Sequence, residues 1–237
     1  MDRAYSLEQL SEKEALDLRN INAAAWKMIC SKCVAIDLSL YHVTGTTLEG
    51  IDGLGNTLSL AMEWANKVES LSPVFRMVWL KRLFVSDFPS LRSIEGIDSL
   101  QELHYLHLSG NRGSLHPALR LASLKPIARL AKLETLSVFN VKLEDDDVTP
   151  IASLSNLRDL TISSRFERKQ LAFLANRLNP QLAQPITVYS EVNLVCKECG
   201  GPLYVFVGRR MPILCKTCKM ENFEKLSLQF DTLVAEI

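Results

Sequence analysis

The chain has 237 residues, 47% of them hydrophobic, with 27 basic and 27 acidic side chains and a pI near 6.9. That length and apolar content suffice to bury a sizeable core, while the balanced charge argues against broad nucleic-acid binding, which needs basic surface to displace counterions. No run of about 18 apolar residues suggests a membrane-spanning helix, and Met1–Tyr5 lacks the charged start and apolar run of a secretory signal, so a cytoplasmic location is expected.

Residues 6–30 read as helical. Ser6 stands three residues before Gln9, the spacing of a reciprocal N-terminal cap. Leu7, Leu10, Ala15, Leu18 and Ile21 fall near helical spacing, and Ala23–Trp26 is apolar. Residues 1–32 are therefore expected to form a helical cap. Cys33-x-x-Ile36-x-Leu38-x-x-Tyr41-x-Val43 follows and looks like an early strand unit. Placing Cys33 at a buried apolar position makes Cys30-Ser31-Lys32-Cys33 a packing feature rather than a metal or redox pair. Residues 44–75 are less regular. Gly45, Gly50, Gly53 and Gly55 mark loops, and Leu60–Val68 suggests a helix. A further irregular unit around Leu58 and Leu60 has no readable register.

From Leu80 the pattern becomes periodic. Leu80-x-x-Leu83-x-Val85-x-x-Phe88 is followed by Leu103-x-x-Leu106-x-Leu108-x-x-Asn111, with Leu115 beyond it. Leu133-x-x-Leu136-x-Val138-x-x-Val141-x-Leu143 and Leu157-x-x-Leu160-x-Ile162 continue the series, and Ile186-x-Val188 reads as a last strand. The second leucine recurs at 83, 106, 136 and 160; the longer middle step carries an insertion around Ser114 to Pro126. Alternation puts the leucines on one face of a short strand, and Asn111 stands where an amide can hydrogen-bond a turn. One such unit cannot bury its apolar face alone, so the units must stack. On these motifs the chain resembles the leucine-rich-repeat family over residues 33–190. The resemblance implies an α/β fold, a curved solenoid with a parallel sheet on its concave side.

In that arrangement the residues between the leucines face the concave surface. They are Arg82, Phe84 and Ser86; Tyr105, His107 and Ser109; Thr135, Ser137 and Phe139; Asp159, Thr161 and Ser163. Stacking sets Phe84 beside His107, Arg82 beside Tyr105, and Phe139 beside Ser109. Such aromatics either cover the neighbouring strand or anchor a partner, since rigid rings bury much area at little entropic cost. The partner-binding set is read as Phe84, Tyr105, His107 and Phe139, with Arg82 and Asp159 setting orientation by charge. Glu144–Asp147 suits the start of a convex helix from Val148 or a docking patch; it lacks the glycine-spaced pattern of a calcium loop. His104, His107 and His116 make no metal or triad pattern with a nucleophile, so no catalytic residue is assigned.

After Glu191 the character changes. Cys196, Cys199, Cys215 and Cys218 form C-x2-C-x15-C-x2-C, the spacing of a four-cysteine structural zinc site in a reducing compartment. Reduced, buried thiols are the alternative. Pro202–Val207 and Met211–Leu214 flank Gly208-Arg209-Arg210 as a hairpin, and Lys219–Val234 reads as a helix with Phe223, Leu226, Phe230 and Leu233 on one face. Residues 191–237 resemble a zinc ribbon. With four thiolates no position stays open for water, so one structural zinc ion is expected.

The function expected from these features is non-enzymatic recognition of a protein partner on the concave face. Stand-alone repeat proteins of this size serve as immunity partners in bacterial toxin systems, so a toxin is one partner the resemblance suggests. The alternative is a nucleic-acid- or transcription-linked adaptor working through the ribbon, near which Lys197, Arg209, Arg210, Lys216 and Lys219 cluster. A ubiquitin-ligase-like module is disfavoured because the eight ligands of a RING are missing. No membrane partner is expected.

Overall fold

The computed structural model describes residues 7–110, 119–163 and 165–237. Ser6, Asn111, Leu115 and His116, to which the sequence gives a cap, a turn, a repeat leucine and an unplaced histidine, lie outside the described residues. Helix α1 (Leu7–Glu12), strand β1 (Ala15–Ile21) and helix α2 (Ala23–Lys32) come first. Next are β2 (Asp37–Val43), β3 (Ser59–Glu63), the short helix α3 (Ser72–Phe75), β4 (Arg82–Ser86) and β5 (Tyr105–Ser109). Then come β6 (Leu119–Leu121), β7 (Thr135–Phe139), β8 (Val141–Leu143), β9 (Asp159–Ile162) and helix α4 (Arg168–Leu178). Strands β10 (Tyr189–Val195), β11 (Pro202–Phe206) and β12 (Ile213–Cys215) and helix α5 (Met220–Ala235) complete the set.

Seven of these strands form one parallel sheet in the order β1-β2-β3-β4-β5-β7-β9, one strand per repeat. The register aligns a single leucine from every strand: Leu16, Leu38, Leu60, Leu83, Leu106, Leu136 and Leu160. Beside them runs a second column, buried at Leu18, Leu40, Met62, Val85, Leu108 and Val138 and partly buried at Ile162 where the sheet ends. Each strand is short and half-apolar, so it is held by its two neighbours more than by itself. The residues added in the long step include β6, which pairs with β8 in a separate two-stranded sheet.

The convex side carries 3-10 turns where the sequence suggested helices. Ile51 and Leu54, Ile97 and Leu100, Ile127 and Leu130, and Ile151 and Leu154 are all buried. At three residues per turn, positions i and i+3 eclipse, so this spacing sends both apolar side chains inward. The helix expected from Val148 is accordingly a 3-10 turn, Thr149–Ser153, and Asp147 Oδ1 caps it by accepting from Thr149 N at 2.9 Å.

Four further expectations are corrected. Residues 15–21 are a strand, because Leu16-x-Leu18-x-x-Ile21 repeats the burial of Leu38-x-Leu40-x-x-Val43. The early unit is consequently two residues later than read. Ala35 and Leu38 take the positions given to Cys33 and Ile36, and Ile36 is exposed. Residues 59–63 are a strand rather than the start of a helix, which confirms a unit around Leu60; Thr57 stands in its leading leucine position, buried, with its hydroxyl donating to Ala35 O at 2.8 Å. Finally, Ile186–Val188 adds no strand to the sheet. The end of the solenoid is covered by α4, which buries Leu171, Leu174, Ala175 and Leu178, packs on the last 3-10 turn and receives α5 on its other side.

Candidate metal centre and recognition face

The four C-terminal cysteines are brought together by two tight turns on the hairpin. Cys196 N donates to Gly201 O and Gly200 N to Cys196 O, both at 2.8 Å, with Gly200 at φ 71, a conformation glycine adopts freely. On the other side Lys219 N donates to Cys215 O at 3.0 Å, where α5 begins. All four sulfurs lie within 4.8 Å of one another; Cys196–Cys218 is 3.8 Å and Cys199–Cys215 is 3.5 Å. A tetrahedral zinc with Zn–S bonds of about 2.3 Å needs sulfurs about 3.8 Å apart. The donor set therefore fits that ion, and four thiolates leave it no open position. The Cys215 thiol is pulled down to about 7, first by the backbone N–H of Cys218. Cys30 and Cys33 stand apart from this group, and burial pushes the Cys30 thiol up to about 11.

Beneath the cysteines, Tyr189, Tyr204, Phe206 and Phe223 form a cluster of edge-on rings, with Tyr189–Phe223 centroids 4.7 Å apart and Phe206–Phe223 4.9 Å. The sequence sets Phe223 on one helix face with Leu226, Phe230 and Leu233; in the structure it joins these rings instead, with Tyr189, which precedes the cysteines. The module is fastened to the solenoid by Arg168, whose guanidinium lies over Phe230 at 5.4 Å, donates to Leu226 O and is drawn below the ordinary arginine range by desolvation. Arg209 pairs with Asp146 and Glu167, so the acidic loop has a partner within the chain. Gly208 passes over Arg168 at φ 116, and a Cβ there would sit 3.0 Å from Arg168 Cβ. Gly208→Ala is accordingly expected to cost about 1–3 kcal/mol in a denaturant titration; an unchanged midpoint would mean that the module is not held closely here.

On the concave side the strand register puts Arg82 beside Tyr105, Phe84 beside His107 and Ser109 beside Phe139, as the sequence predicts. The Phe84 and His107 rings stack at 4.2 Å and 2°, and the Arg82 guanidinium lies 4.6 Å over Tyr105. Phe139 is 45% exposed and Asp159 is open to solvent. His107 is only 8% exposed. Its Nε2 is hydrogen-bonded to Ser109 Oγ at 2.9 Å, and that hydroxyl is bonded to Ser86 Oγ at 2.9 Å, so the imidazole works as scaffold beneath Phe84. A second group of rings, overlooked in the sequence, lies on earlier strands. Trp64 stacks on His42 at 4.2 Å, Tyr41 meets Trp64 edge-on at 5.7 Å, and Arg19 lies 5.4 Å over Tyr41. Its signal was the 22-residue repeat, which could be counted only once the first three strands were placed.

No protein-family model matches the chain, and neither does any curated protein. Among solved structures, internalin C2 from Listeria monocytogenes strain 4b F2365 is 18% identical, covering 66% of this chain and 75% of its own, with a TM-score of 0.44. A leucine-rich-repeat protein of Leptospira interrogans is 20% identical, covering 70% of this chain, with a TM-score of 0.45; the match spans 40% of that protein. The class itself is defined by the strand geometry: a leucine-rich-repeat solenoid carrying a C-terminal four-cysteine module. Among the described residues, no helix is long and apolar enough to cross a membrane.

Proposed function

We propose that this chain is a non-catalytic recognition module that seats a protein partner on its concave sheet, with one structural zinc ion organising the C-terminal module. The carrying observation is the row of partly or largely exposed rings on neighbouring strands, Phe84 and Tyr105 held by ring contacts between β4 and β5 and Phe139 exposed on β7. Such a surface presents area that costs little entropy to immobilise. Arg82 and Asp159 flank it and orient the partner. A toxin, met by an immunity protein in the cytoplasm, is the specific form that the resemblance to stand-alone repeat proteins suggests. The nucleic-acid-linked alternative is weakened because Arg209, one of its basic residues, is engaged by Asp146 and Glu167.

The test begins with the partner recovered by co-purification from the native host. Phe84→Ala, Tyr105→Ala and Phe139→Ala are combined, sparing His107 because it is part of the fold. The triple variant is expected to bind that partner at least about thirtyfold more weakly while its thermal unfolding stays near that of the parent. Undiminished affinity would place the site elsewhere. Tight, strongly salt-sensitive binding to nonspecific nucleic acid would favour the adaptor.

A further inference from the structure

One position of the repeat departs from what its equivalents do. At the C-terminal end of five of the seven strands, one residue takes left-handed backbone: Asn20 (φ 56), His42 (φ 59), Trp64 (φ 60), Asp87 (φ 59) and Asn140 (φ 50). Each stands immediately before a buried apolar residue, namely Ile21, Val43, Ala65, Phe88 and Val141. Asn and Asp tolerate this conformation because a short polar side chain can bond locally, whereas a bulky side chain there is a real outlier. Tryptophan is the largest residue the position could hold. Its indole is 36% exposed, so the strained backbone gains no full burial in return.

The ring is nevertheless held in place. His42 stacks on it at 4.2 Å and 20°, and its Nδ1 is hydrogen-bonded to Asn20 Oδ1 at 2.7 Å. Tyr41 braces its edge, and Arg19 lies over Tyr41 while pairing with Asp17 at 3.0 Å. The result is a rigid aromatic platform at the rim of the concave sheet, on the strand next to the one that carries Phe84. The exposed acid Glu63 directly precedes Trp64 and pairs in register with Tyr41, and Arg19, the base over Tyr41, is paired with Asp17.

We infer that Trp64 is a binding residue, the anchor for an arginine or lysine side chain of the protein partner; the inference rests on the concave-face reading above. Indole is the strongest aromatic acceptor for a cation. The aliphatic stem of such a side chain packs on the ring while its charge faces Glu63.

A phage library of random dodecapeptides selected on the full-length protein tests this. Enriched peptides are expected to be rich in arginine or lysine. The best of them, made synthetically, is expected to bind Trp64→Asn about tenfold or more weakly and Trp64→Phe within a few-fold of the parent. The Asn variant is expected to keep its Tm within about 3 °C, since asparagine suits the backbone and offsets the lost stacking. Selection of acidic or uncharged peptides, failure to enrich any, or binding indifferent to Trp64→Asn overturns the inference. So does a fall in Tm beyond about 10 °C, which would make the ring a packing element. Peptides that lose affinity in the Phe84, Tyr105 and Phe139 variant but not in Trp64→Asn overturn it and leave the concave-face reading intact. Indifference to both sets removes both.

Discussion

Zinc removal is expected to unfold the C-terminal module and leave the repeat sheet standing. Protein purified without chelator should contain about one zinc per chain, and Cys215→Ser should lose it. Structural zinc sites of this type contribute roughly 10–16 kcal/mol of apparent binding free energy, and in small modules that is folding free energy. Here the module's own core is four rings, Tyr189, Tyr204, Phe206 and Phe223, beneath a short hairpin. That is little apolar surface to order strands and a helix by itself. The seven leucines of the sheet do not depend on it, so unfolding after chelation should occur in two steps, the module first. Near-ultraviolet dichroism and elemental analysis read both parts. Absence of metal from untreated protein would refute the assignment. Changing Cys30 and Cys33 to alanine should leave the zinc content as it was.

Leu136→Ala is expected to destabilise the solenoid by about 2–5 kcal/mol. Leu106→Ala should do the same, since both side chains are 0% exposed. Each leucine lies between two others of its column, so truncation leaves a cavity that neither neighbour can fill without shifting its own strand. Leu160→Ala should cost less, because Leu160 ends the column and is only partly buried. Equilibrium denaturant unfolding measures all three. A loss below about 0.5 kcal/mol at both interior positions would mean the register is wrong. A loss at Leu160 equal to that at Leu136 would mean that α4 closes the sheet as fully as another repeat does.

Some of this protein was legible directly in the chain. The units at Leu83, Leu106, Leu136 and Leu160 and the C-x2-C-x15-C-x2-C pattern are local codes: strand alternation and cysteine spacing each operate over a few residues. The concave neighbours followed from them, because parallel pairing aligns equivalent positions. Of the first three strands, β1 reads as helix, β2 is legible two residues out of register, and β3 has no readable register, for the same reason. Lys13, Ala35 and Thr57 occupy the positions where later units have leucine, and Met62 and Ala65 replace further apolar landmarks. A neighbouring strand accepts such substitutions when the column beside them is full, so burial there is decided by the stack and not by the segment. The platform of Tyr41, His42 and Trp64, the ion pair of Arg209 with Asp146, and the seat of Gly208 on Arg168 join residues from different units. Their partners are set by how the solenoid places one repeat against the next, which no local spacing encodes.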